Sequence, residues 1–262
     1  MASARYAEID WYQTPRWYDM VFDADTAHEA DFLVGLAAQH GLPAYLDVLE
    51  PACGSGRLVA ELAARGHRVS GFDLSAAMLD FARARLSRRK LRARLFEGDM
   101  ARFATRERFH LAHCLVSTFK YLQSEQQARA HLECVARALV RGGIYVLGFH
   151  LSDYASKSSS RERWRVVRGA TEVVCNTQVW PAERRARSEA VRTRLCVRTN
   201  GRELRSETRW RFRTYDERQV RSLLRSVPAF EHVATHDFGH ELERTIPFDG
   251  EQLDVVLVLR KR

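Results

Sequence analysis

No run of about 18 or more apolar residues occurs in the 262-residue chain, so no helix is predicted to cross a membrane. The opening stretch MASARYAEIDWYQTPRWYDMVF lacks the apolar core of a secretory signal, and the expected location is the cytoplasm. The five cysteines (Cys53, Cys114, Cys134, Cys175 and Cys196) are odd in number and contain no CxxC pair. Free thiols in a reducing compartment are expected, with no metal site. Lysine is scarce: Lys90, Lys120, Lys157 and Lys261 are the only ones. The net charge of +9 therefore rests on arginine, spread without any block of like charge. That spread reads first as arginine bias and only second as a surface for nucleic acid.

What is present is a rhythm of short apolar strands and amphipathic helices. Thr26 and Glu29 read as a capping box for a helix ended by Gly41, and Tyr45–Glu50 as a buried strand. A helix follows from Arg57 with Gly66 just past its end, then the strand HRVSGFDL and a helix capped by Ser75. RARLFEGDM and FHLAHCLV are the next strands. Ser124 and Gln127 box a helix closed by Gly142–Gly143, before the strand IYVLGFH. This alternation predicts a doubly wound, Rossmann-like, mostly parallel sheet over 41–150, with ligands at the strand ends. After Leu151 the pattern changes. SDYASKSSSRER reads as a polar loop, followed by alternating strands, two of them flanking an Asn200–Gly201 hairpin turn. Thr214 and Glu217 read as the box of a last helix, and the strands 230–237 and 253–261 complete the sheet, the last of them antiparallel. Four parts result: a helical cover (1–40), the α/β core (41–150), an antiparallel β insertion (151–213) and a closing helix and strands (214–262).

The stretch EPACGSG after the first core strand places Gly54 and Gly56 where the backbone must turn tightly and approach a ligand. Position 59 is Val59, so the third glycine of a dinucleotide fingerprint is missing, and G-K-[ST] is absent too. What stands is acidic-x-small-x-Gly-x-Gly: Glu50, Ala52, Gly54, Gly56. Asp73 ends the next strand and can accept from two ribose hydroxyls, and Gly98, Asp99 and Met100 end the one after.

These residues resemble motif I and the following strand ends of the class I S-adenosylmethionine-dependent methyltransferases, with Ala52 in place of the first glycine. The resemblance implies S-adenosyl-L-methionine as cofactor and S-adenosyl-L-homocysteine as product. It implies a site drawn from Tyr18, Glu50, Ala52, Cys53, Gly54, Gly56, Arg57, Asp73, Leu74, Met78, Gly98, Asp99, Met100, Cys114 and Leu115, with Asp99 toward the adenine amine. In the small-molecule branch, an aromatic N-terminal segment ending in a Tyr-Asp pair covers the donor. Tyr18–Asp19 matches that pair, and Tyr6, Tyr12 and Arg16 are further candidates. The layout resembles sugar-amine and glycine N-methyltransferases, whose insertion after the fifth strand is a lid or a dimer-forming sheet.

Two catalytic candidates follow. Tyr121 stands where the sugar-amine enzymes place a histidine, and His150 at the end of the fifth strand is the better base by its ordinary pKa. His110 and His113 read as structural. The expected activity is methyl transfer to N or O of a small-molecule acceptor; the resemblance leaves a homodimer as one of the assemblies open to the chain. The alternatives are an RNA or protein methyltransferase using the arginine face (Arg192, Arg194, Arg198, Arg209, Arg211, Arg213, with Trp180 and Trp210 for stacking), or a non-catalytic donor-binding regulator.

Overall fold

The computed structural model describes residues 6–262; the first five residues of the expected cover lie outside the described residues. A two-residue strand β1 (Ala7–Glu8) and a 3-10 turn (Trp11–Gln13) lead into helices α1 (Pro15–Phe22) and α2 (Thr26–Gln39). The core follows as β2 (Asp47–Pro51), α3 (Arg57–Ala64), β3 (Arg68–Asp73), α4 (Ala76–Arg88), β4 (Arg94–Glu97), β5 (Phe109–Cys114), α5 (Glu125–Ala138) and β6 (Leu139–His150). The insertion holds β7 (Ser160–Arg168), β8 (Thr171–Val179), β9 (Ser188–Thr199) and β10 (Arg202–Arg213); α6 (Glu217–Arg225), β11 (Phe230–His236) and β12 (Asp254–Lys261) close the chain.

The seven-stranded sheet runs β4-β3-β2-β5-β6-β12-β11, parallel except where β12 runs against both its neighbours. Alternate residues feed opposite faces. Leu49, Ala112, Tyr145 and Leu147 pack under α5 and α6, while Val48, Leu111, Ile144 and Val146 pack under α2, α3 and α4. Both faces are therefore covered, and the carboxyl ends of the parallel strands share one edge. None of the described helices is long and apolar enough to cross a membrane.

The second sheet, β1-β10-β9-β8-β7, is antiparallel apart from the β1–β10 pair. Its inner residues Val173, Cys175, Leu195 and Val197 bury Trp11, Met20 and Val21 of the cover, which is thus clamped between insertion and core.

Four local expectations are corrected. Thr26 and Glu29 cap nothing: α2 starts after Asp25 without a side-chain cap, and both side chains hold Arg57 instead. The box of α6 is Asp216 with Gln219, because buried Thr214 is bonded to the Tyr154 hydroxyl. The polar stretch after Leu151 becomes strand β7 from Ser160, since each of its residues to Arg168 finds a partner on β8. Gly142 and Gly143 lie inside β6 rather than before it, with Gly142 at φ 78° and the β5–β6 register irregular nearby.

Candidate active site at the strand ends

The turn after β2 alternates left-handed and ordinary residues: Ala52 has φ 54°, Gly54 φ 52° and Gly56 φ 67°. Ala52 therefore occupies a glycine conformation, at a cost of about 1–2 kcal/mol, in the place where the motif has its first glycine. At Gly56 a Cβ would stand 2.7 Å from Ala82 on α4. The absence of a glycine at position 59 is answered across the sheet. Gly71 on β3 leaves the room that Val59 and Cys53 fill, a Cβ there meeting them at 2.8 and 3.0 Å. Helix and strand still approach closely, with the missing side chain moved from helix to strand.

Asp73 organises the cradle. Its Oδ2 accepts from the Gly54 N–H at 2.8 Å and its Oδ1 from the Ser75 N–H at 2.8 Å. The carboxylate is thus fixed at the strand end with lone pairs left over. Beside it Leu74 is exposed by 66%, an apolar side chain left in the open. Gly98 is held to the Asp73 carbonyl, Asp99 turns its carboxylate to the Ala101 N–H and to Arg102, and the Met100 carbonyl is held by buried His131. A small cavity of about 40 Å³ opens among Tyr18, Glu50, Ala52, Cys53, Gly54, Arg57, Cys114 and Leu115. A larger, shallower depression of about 390 Å³ runs from Leu151–Ala155 to Asp216–Arg218 and carries none of the motif residues.

Under the turn lies a buried charge cluster. Arg57 donates to Glu29 Oε2 at 2.7 Å and to Thr26 Oγ1 at 3.1 Å. Burial pushes the Glu50 carboxyl up to about 8, against the pull of Arg57, with Glu29 and Asp73 pushing the same way. His113, read from the sequence as structural, lies 3.9 Å from Glu50 Oε2; burial and then Arg57 push its imidazole down to about 3. Glu50 Oε2 and both His113 ring nitrogens have no protein partner. Glu50 lines the cleft while His113 lies wholly buried behind it; an orphaned carboxyl at a cleft is the mark of a site rather than of a core.

A stability prediction follows from Glu50. Its carboxyl is raised in the folded state from an ordinary 4.5 to about 8. Its contribution is therefore full below 4.5 and is lost as pH rises to about 8. Gln does not titrate. The melting temperature of Glu50→Gln is expected to gain on the parent protein by roughly 5–10 °C between pH 5 and pH 8, followed by differential scanning fluorimetry. A difference independent of pH would contradict the raised carboxyl.

The cover is fastened at its Tyr-Asp pair. Asp19 is buried, accepts from Ser55 Oγ at 2.8 Å and pairs with Arg85 of α4, which lays Tyr18 over the turn. The Tyr12 hydroxyl donates to the Tyr121 hydroxyl at 2.5 Å, and burial holds both phenols well above the ordinary range. Tyr121 is therefore a protonated hydrogen-bonding phenol and not a base at neutral pH. Arg16 lies over Trp17 and Arg194 over Tyr6.

Other sequence candidates sit elsewhere. His150 is exposed and its Nδ1 is 2.6 Å from Asp254 Oδ1, outside the residues lining the cavity. Met78 is fully buried in α4, where its N–H completes the Ser75 cap. Cys114 lines the cavity, but burial pushes its thiol up to about 12, so it is no thiolate nucleophile. On the outer face of the insertion Glu172, Glu203 and Glu207 pair with Arg165, Arg192, Arg194, Arg198, Arg205 and Arg209. Trp210 stacks on Trp11 under the cover, and Trp180 lies under Arg192. Neither offers the free ring that base stacking needs.

Sequence reasoning passed over Lys120. It is fully buried in the 3-10 turn Thr118–Tyr121, and its Nζ donates to Glu189 Oε1 at 2.6 Å and to the His150 carbonyl at 3.1 Å. This pair ties the loop bearing Tyr121 to strand β9 of the insertion. A lysine in an otherwise uncharged loop was the one available signal.

The profile of the family described as "Methyltransferase domain" matches residues 48–143. A dTDP-3-amino-3,6-dideoxy-alpha-D-glucopyranose N,N-dimethyltransferase of Streptomyces fradiae is 34% identical over 133 residues, 50% of this chain and 50% of that protein. The chain thus spans about half the length of the curated relatives it matches. DesVI of Streptomyces venezuelae superposes with a TM-score of 0.78 at 18% identity, covering 97% of this chain and all of that one. An S-adenosylmethionine-dependent methyltransferase of Clostridium acetobutylicum gives 0.78 at 17% identity, over 96% and 98%. At such identities the two structures establish the fold.

Proposed function

We propose that the protein transfers a methyl group from S-adenosyl-L-methionine to the amine nitrogen of a small molecule of the amino-sugar type; residues 48–143 match the methyltransferase-domain profile, and the chain shares its fold with S-adenosylmethionine-dependent methyltransferases. The observation that carries this reading is the cradle itself: Gly54 without a Cβ, its N–H tied to Asp73, and an orphaned Glu50 carboxylate oxygen beside them. The residues fit such a donor. Asp73 has lone pairs for two ribose hydroxyls, exposed Leu74 offers an apolar face to a base, and Asp99 can accept from an exocyclic amine. Glu50, once ionised, faces an ammonium.

When bound, S-adenosylmethionine supplies a sulfonium-borne methyl group for in-line attack. The chain's own work is placement and dryness. Tyr18 and the cover exclude water from the cavity, and the Tyr12–Tyr121 hydroxyl pair orients the acceptor amine. Neither His150 nor the two phenols is a base in reach, so the amine enters as its free base and its proton leaves to solvent after transfer. An amino sugar is favoured over other acceptors by the relative from Streptomyces fradiae and by the insertion placed over the loop of Tyr121. The five free thiols suit the reducing cytoplasm.

Thermal unfolding tests the cofactor. S-adenosylhomocysteine at about 100 times its Kd stabilises by about 2.7 kcal/mol, a rise of roughly 5–10 °C in Tm, while NAD gives none. A rise with NAD alone would reject the reading. A labelled-methyl assay with dTDP-linked 3-amino sugars then tests the acceptor.

A further inference from the structure

The depression beyond the end of β6 shares no lining residue with the methyl-donor cleft. At about 390 Å³ it falls within the range of small-molecule sites, about 300–1,000 Å³. Residues 151–155 after β6, the first turn of α6 and residues 249–253 before β12 build it, and Arg184 from the β8–β9 connection reaches in. The Leu151 N–H donates to the Leu253 carbonyl at 2.7 Å and the Ser152 N–H to the Tyr215 carbonyl at 2.8 Å, so backbone bonds fix its walls.

The lining is unbalanced in charge. Five carboxylates (Asp153, Asp216, Glu217, Asp249 and Glu251) stand against two guanidiniums, Arg184 and Arg218. Asp216 caps α6 and Glu217 pairs with Arg221, which leaves Asp153, Asp249 and Glu251 without a basic partner among the described residues. Asp153 Oδ1 accepts from the Ala155 N–H and Asp249 Oδ1 from the Glu251 N–H, so both carboxylates are held in place with lone pairs to spare. No three His, Cys, Asp or Glu side chains among the described residues converge as metal ligands would, so the charge suits an organic cation.

The aromatic floor and a buried hydroxyl suit the same kind of ligand. Tyr154 is buried, its hydroxyl tied to Thr214 Oγ1 at 2.8 Å and to Gln219 Oε1 at 3.0 Å, and the Arg184 guanidinium lies over its ring at 4.7 Å. Arg184 is loosely held there, its side chain 70% exposed and 3.8 Å from Asp216. A fixed aromatic face thus already carries a cation that little else retains. Ser152 lines the same depression at 6% exposure, and its hydroxyl has no hydrogen-bond partner. A buried hydroxyl left unsatisfied is costly, and a bound N–H donor would satisfy it.

We infer that this depression is a second binding site, separate from the methyl-donor cleft, for a small aliphatic diamine in its doubly protonated form. One ammonium takes the place of the Arg184 guanidinium on the Tyr154 ring and donates to Ser152 Oγ, while Asp153, Asp249 and Glu251 balance the charge of the ion. Two charges suit it better than one, because displacing Arg184 leaves a single guanidinium in the lining.

Calorimetry on the full chain at low salt tests this with putrescine, its neutral counterpart butane-1,4-diol, and magnesium chloride. Putrescine is expected to bind at one site per chain, at least about tenfold tighter than magnesium, and the diol to give no heat. Arg184→Ala removes the occupant and is expected to tighten putrescine about fivefold, while Arg185→Ala, outside the lining, leaves it unchanged. Asp153→Asn and Asp249→Asn keep an oxygen for the turn N–H and should each weaken binding about threefold. Ser152→Ala should weaken it about tenfold with a Tm at or above the parent's, since only an unsatisfied hydroxyl is lost. Absence of putrescine binding, equal binding of diol or magnesium, or an affinity untouched by both Arg184→Ala and Ser152→Ala would each overturn the inference. So would an affinity that falls in Glu50→Gln and not in Asp249→Asn, which would put the amine in the methyl-donor cleft.

Discussion

Asp73→Ala is expected to weaken S-adenosylhomocysteine binding by at least about 10²-fold, measured by isothermal calorimetry, and to erase its thermal stabilisation. The side chain does two things at once. Its oxygens accept from the Gly54 and Ser75 N–H groups, and its free lone pairs face the place proposed for the ribose. Charged hydrogen bonds contribute about 1.5–3 kcal/mol each, so losing two accounts for that factor. Asp73→Asn is the informative control. An amide must set its NH₂ against one of two fixed backbone donors, so it also fails, although its shape is nearly that of the acid. Near-normal binding by Asp73→Asn would mean that Asp73 is a turn former only.

Lys120→Met is expected to be the most destabilising of the single changes proposed. Nζ is bonded to Glu189 at 2.6 Å, and both side chains are buried. Removing the lysine strands a carboxylate, which costs about 3–5 kcal/mol and lowers Tm by roughly 10 °C. The pair itself contributes less than its rupture costs. Lys120→Met combined with Glu189→Leu should therefore recover most of the loss, since an apolar pair of similar volume is often neutral. Full additivity of the two single losses would refute the coupling. If the double variant folds yet turns over slowly with normal S-adenosylhomocysteine affinity, the pair's purpose is to hold Tyr121 against the insertion.

The parts of the protein that the amino-acid order determined by itself are those governed by local rules. Alternating apolar strands and capped helices specify the doubly wound core. Ser75, Ser124 and the Asn200–Gly201 turn act within a few residues of themselves and stand as read. The cradle was legible for the same reason: Glu50, Ala52, Gly54, Gly56 and Asp73 form a pattern whose spacing is set by one strand-turn-helix unit.

Tertiary structure decided everything that depends on partners distant in the chain. Thr26 and Glu29 satisfy the local rule for a helix cap, yet a buried arginine is a stronger competitor for a carboxylate than backbone N–H groups that water can reach, so Arg57 takes them. Val59 looked like the loss of a glycine, but the space it needs was left by Gly71 on the neighbouring strand. His150 was favoured for its pKa, and Asp254, 104 residues away, claims it. Lys120 carries no spacing signature, because its meaning lies in a buried partner, Glu189, on a distant strand. Sequence periodicity records which face of an element is buried. It does not record what that face meets, and in this protein the charge cluster, the insertion contact and the aromatic cluster under the cover are all made by such meetings.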